Sequence, residues 1–174
     1  MTRKLSFASV LTALTIVCLY GSTILPTGRI ALLALTSLCV LVTQAECGTK
    51  FSLIQYTASA FIGLLLVPTK FQILIFILFI GYYPIVKSHI ERLNSLLFEW
   101  IVKILYFNAM LIVLYFAVKY FLLQYVSFGP IFDYVFSHLV IFVLILEVVF
   151  VLYDYLLSLM ASYYVNVVKK KIKF

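Results

Sequence analysis

Charge is what this chain has least of. Only 11% of its 174 residues are Asp, Glu, Lys or Arg, where a soluble domain averages about 25%. So few charges cannot cover the surface of a small water-soluble domain, and a soluble fold is excluded. An apolar content of 66% equally excludes a disordered or collagen-like chain. Histidine is nearly missing, with only His89 and His138. No phosphate-binding loop, H-E-x-x-H or G-x-S-x-G occurs, so no catalytic, ATP-binding or cofactor role is expected. The three cysteines, Cys18, Cys39 and Cys47, lack metal-ligand spacing and read as small packing residues, so no metal is expected. Long polar linkers and internal repeats are absent as well, which makes the chain one domain over 1–174.

What is there is apolar sequence, with a mean hydropathy of +1.19. Spans of about 20 residues cross a hydrocarbon core of about 30 Å, so a chain of this length has room for six and little else. Apolar runs cover approximately 6–25, 30–45, 51–67, 71–86, 96–125 and 131–155, the last staying apolar to Val168 before a basic tail at 169–174. Pro84 stands near the end of the fourth run, where it ends or kinks the helix. Continuous runs of this kind disfavour a β-barrel, whose strands alternate. The fold expected is an all-α polytopic bundle of six transmembrane helices.

The net charge of +7 reads as a topological signal and not as a nucleic-acid footprint. With the N-terminus inside, Arg3, Lys4, Lys50, Lys87, Arg92, Lys169, Lys170, Lys171 and Lys173 fall on the cytoplasmic side. Only Arg29, Lys70 and Lys119 fall outside, and Lys103 lies near the inner boundary. Both termini are therefore expected in the cytoplasm of a prokaryotic cell, the chain lying in its plasma membrane. The polar run Lys87–Arg92 reads as a cytoplasmic loop.

An ionisable side chain within a span costs about 2.5–3.5 kcal/mol on insertion scales, so each needs a partner or a purpose. On the fifth helix Tyr115 and Lys119 fall within about 20° of Asn108, forming a polar stripe toward the outer surface. Glu99 and Lys103, spaced i, i+4 with the acid first, form a structural ion pair on another face. On the sixth helix Asp133, Ser137, Glu147 and Asp154 share an arc of about 100°. Asp133 and Asp154 read as interfacial in the simpler account, with Glu147 bonded to a neighbouring helix. In the sharper account Arg29, Asn108, Tyr115, Lys119, Asp133, Ser137 and His138 bind a small polar molecule in an outer pocket.

The first span carries Ala8 and Thr12, and Ser9 and Ala13, small residues four apart that let another helix approach closely. With the opening Arg3-Lys4-Leu5-Ser6-Phe7-Ala8-Ser9-Val10-Leu11-Thr12-Ala13-Leu14, the size and the six runs, the chain resembles a substrate-binding S component of the energy-coupling factor (ECF) vitamin importers. In that family a basic N-terminus leads into an A-x-x-x-A face, here matched most nearly by Ser9–Ala13 with Ser in place of the usual Ala. The resemblance implies a ligand cavity in the outer half of the bundle, and docking on a transmembrane coupling subunit driven by ATPases. Other readings are a non-transporting membrane scaffold, a small ion-coupled carrier and, last, an intramembrane enzyme. Against the carrier, the inner half is expected to lack paired basic residues that could continue a path from Asp133 through Glu147 and Asp154.

Overall fold

A computed structural model describes residues 2–25, 27–93, 95–117 and 139–168. Of these, 93% are helical, with no strand. The helices are α1 (Thr2–Ile24), α2 (Arg29–Cys47), α3 (Thr49–Leu66), α4 (Lys70–Ile90), α5 (Leu96–Ala117) and α6 (Leu139–Tyr163). A short 3₁₀ turn, Glu91–Leu93, follows α4, and a π turn, Tyr164–Val168, extends α6. Helices α1, α2, α4, α5 and the stretch Val143–Asn166 have the length and composition to cross a membrane. The 18 residues of α3 are long enough too, but Lys50, Ser52, Gln55 and Ser59 make it more polar.

The polarity of the bundle is the reverse of a soluble protein's. Thr15, Ser22, Thr36, Ser37, Thr43, Ser52, Gln55 and Ser59 are fully buried, while Val10, Ile30, Phe61, Leu65 and Leu97 are more than two-thirds exposed. In hydrocarbon, small hydroxylated residues pack helices closely and large apolar ones face lipid. Most of the hydroxyls donate to a carbonyl three or four residues back, as Thr15 Oγ1 does to Leu11 (2.7 Å).

Two apolar cores lie at opposite ends. Leu19, Leu33, Val67, Ile73 and Phe76 join α1 to α4 at one end. Leu41, Tyr83, Phe107, Phe150 and Leu157 join α2, α4, α5 and α6 at the other. This second, basal end is where Cys47 meets the Lys4 carbonyl (3.6 Å), Gln44 donates to Ser88 (2.8 Å) and Tyr164 donates to Glu46 (3.3 Å). The turn between α2 and α3 is a single residue, Gly48, at φ 87° and ψ 176°, a region that a Cβ effectively closes. At the opposite end Gly63 lets α4 approach: a Cβ there would stand 2.5 Å from Ile73 Cδ1.

The fourth helix differs from the run expected at 71–86. It continues to Ile90 and is interrupted by a π segment, Phe76–Ile80, and a turn at Gly81-Tyr82. Pro84 then sits in the first turn of the restarted helix, where its missing N–H costs nothing. A π segment misaligns backbone groups that lipid cannot satisfy. Tyrosines from three other helices take them up: Tyr56 bonds to the Ile77 carbonyl (2.8 Å), Tyr106 to Leu78 (3.2 Å) and Tyr153 to Ile80 (3.4 Å). That extension of α4 changes the status of Lys87, which belongs to a buried helical face and not to a cytoplasmic loop.

Candidate functional site: a buried charge cluster

Each of α4, α5 and α6 carries polar residues four apart at the basal end. On α4 they are Tyr83 and Lys87, with Glu91 just beyond. On α5 they are Glu99 and Lys103, and on α6 Asp154 and Ser158. Helical periodicity puts each set on one face, and the packing of Tyr83, Phe107 and Phe150 turns the three faces toward one another. Tyr83 meets the Phe150 ring edge-on at 5.1 Å, and Phe107 stacks on Phe150 at 4.3 Å.

Asp154 is the centre of the arrangement, 3% exposed. Its Oδ1 accepts from Lys87 Nζ and from the Tyr83 hydroxyl, and its Oδ2 accepts from Lys103 Nζ at 3.0 Å. Lys87, 2% exposed, also donates to Ser158 Oγ (2.8 Å) and to the Asp154 carbonyl (3.1 Å), and pairs with Glu91 (2.9 Å). Lys103, equally buried, pairs with Glu99 (2.6 Å) and lies 3.6 Å from Glu91. Its ammonium also sits 5.5 Å from the centroid of the Trp100 ring. Charges this deep persist only when paired and hydrogen-bonded, and breaking such a pair by removing one partner costs about 3–5 kcal/mol.

The cluster forms the floor of a groove of about 330 Å³ between α5 and α6, bordered by Glu91, Glu99, Trp100, Lys103, Asp154 and Tyr155. No set of three or more His, Cys, Asp or Glu that could hold a metal ion occurs among the described residues.

One expectation is refined here and one is overturned. Asp154 is not left to solvent, because two lysines and a tyrosine enclose it. The basal half does contain paired basic residues, Lys87 and Lys103, so their supposed absence no longer counts against the carrier reading. The ion pair of Glu99 with Lys103 is present, but Lys103 also reaches α6, which makes it an interhelical tie and not only a local one. Sequence reasoning missed the cluster because the polar run 87–92 reads as a loop. The matching i, i+4 pairs near the same ends of three runs were the signal that could have found it.

The residues expected to line an outer pocket are only partly within view. Lys119, Asp133, Ser137 and His138 lie outside the described residues. Asn108, half-buried on α5, donates to Glu147 Oε1 on α6 (3.1 Å) and to the Ile104 carbonyl (3.0 Å). Tyr115 is 38% exposed and meets Phe116 edge-on at 5.6 Å. Arg29 is exposed in the first turn of α2. None of these three borders the basal groove.

The expected docking face is divided. Ala8, 3% exposed, is buried within the chain's own bundle, so a partner helix cannot reach it. Thr12 is half-buried and donates to the Ala8 carbonyl (2.8 Å). Ser9 and Ala13 are exposed on the outward face of α1, between the bulkier Val10, Leu14 and Val17. No family model, no curated protein and no solved structure matches the chain.

Proposed function

We propose that the chain is the substrate-binding membrane subunit of an ECF-type importer, with six transmembrane spans and both termini in the cytoplasm. It would capture a small vitamin-like molecule outside, and a separate ATP-driven coupling module would bring that molecule inward. The observation that carries this reading is the outward face of α1. Ser9 and Ala13 leave a shallow notch on an otherwise bulky surface, one turn apart and beside the basic start of the chain. Such a notch suits close approach of a second helix. The expected cytoplasmic bias of the lysines and arginines supports putting that notch on the ATPase side. Arg29, Asn108, Tyr115, Lys119, Asp133, Ser137 and His138 are the proposed ligand residues.

Co-purification from native membranes tests the docking half. A coupling subunit and ATPases should accompany the wild-type chain and be lost from Ser9→Trp or Ala13→Trp. Their absence from the wild-type preparation would overturn the reading. For the ligand half, vitamins and related micronutrients are screened by thermal shift. A true ligand at about 100 times Kd should stabilise the chain by about 2.7 kcal/mol. One observation favours a second reading, a non-transporting scaffold: Asn108 donates to Glu147 across α5 and α6, a bond that polar residues make when they serve to join helices. A folded chain that answers to no ligand and brings down no ATPase would favour that reading instead.

A further inference from the structure

We propose that the basal groove between α5 and α6 binds a small organic ammonium group. Lys87 and Lys103 are shared among three carboxylates, Asp154, Glu91 and Glu99, and no other cation pairs with these three among the described residues. Among the described residues the cluster therefore carries one surplus negative charge, beside an apolar wall.

The surplus lies at the mouth of the groove. Asp154 is enclosed, whereas the Glu91 and Glu99 side chains are 42% and 18% exposed. Each meets the lysines through Oε1 alone, which leaves both Oε2 atoms without a partner among the described residues.

The character of the missing cation follows from the walls. A bare metal ion needs several free converging oxygens, and those of Glu91, Glu99 and Asp154 that converge are already held by Lys103 Nζ (3.6, 2.6 and 3.0 Å). A groove of about 330 Å³ instead reaches the lower range of small-molecule sites. Trp100 and Tyr155 supply aromatic surface that attracts alkylammonium groups, and Val151 and Leu152 would cover an attached carbon chain. An amine therefore fits on both counts, its charge at Glu91 and Glu99 and its carbon against the aromatic wall. The amine could arrive as the headgroup of phosphatidylethanolamine or as a free molecule such as ethanolamine. None of the residues bordering this groove is among those proposed for the importer's ligand.

The test uses the full chain in detergent. Native mass spectrometry compares retention of phosphatidylethanolamine and phosphatidylglycerol, and thermal shift follows ethanolamine against sodium chloride at equal ionic strength. Preferential retention of phosphatidylethanolamine points to the lipid source, and a shift with ethanolamine alone points to the free amine. Either should weaken about tenfold in Glu91→Gln, which balances the cluster at two charges of each sign. The proposal is overturned if the wild-type chain prefers neither amine over its control, or if Glu91→Gln binds as well as wild type. Should that variant fail to fold, Trp100→Leu replaces it, with the same weakening expected and the same overturning result.

Discussion

Asp154 is a single carboxylate on which three helices depend. Removing it leaves two lysine ammonium groups facing each other with only Glu91 and Glu99 to share, and leaves the Tyr83 hydroxyl without its acceptor. Asp154→Ala should therefore destabilise the chain by about 3–5 kcal/mol, measured by reversible unfolding in mixed micelles. Lys103→Met should cost less, because Lys87 and Tyr83 still hold Asp154 and Glu99 can turn outward. Equal losses would mean that Asp154 is not the shared centre. Lys103 and Glu99 were readable as a pair from their spacing alone, a contact within one helix. The reach of Lys103 to Asp154 was not, because it depends on the rotation of α5 against α6, and rotation is set by packing of Phe107 on Phe150.

The fourth helix shows what an element adds beyond its residues. Its sequence announces a break at Pro84, but the π segment lies a turn earlier, at Phe76–Ile80, where no proline or charge marks it. What tolerates the irregularity is distant in sequence: the hydroxyls of Tyr56, Tyr106 and Tyr153. Tyr56→Phe deletes the shortest of these bonds and should destabilise by about 0.5–1.5 kcal/mol. Tyr153→Phe, which loses a bond of 3.4 Å, should cost less. The same unfolding assay ranks the two, and a reversed order would show that the π carbonyls are satisfied in another way. Among thirteen tyrosines in an apolar chain, nothing local distinguishes these three from those that face lipid. The extra four residues of α4 beyond position 86 were hidden for a related reason: polar residues usually end a span, and here Lys87 and Ser88 turn to partners on other helices.

On the scale of the whole molecule the arrangement is inside-out, with hydroxyls within and large apolar side chains on the surface. The six-span reading places both termini on one side. A cysteine-free chain, made by replacing Cys18, Cys39 and Cys47, with one cysteine returned at position 2 or 174, tests it in intact cells. Neither position should react with a membrane-impermeant maleimide until the cells are opened. Labelling of one terminus alone in intact cells would require an odd number of spans. Composition by itself determined the solvent, the helical class and the approximate position of the helices, because an apolar segment in lipid must close its hydrogen bonds within itself. The pairing of Lys87, Lys103 and Asp154 was decided only by the tertiary structure, as were the burial of Ala8 and the bond of Asn108 to Glu147. Each depends on which faces of separate helices meet, and that is settled by side-chain packing between segments far apart in the chain.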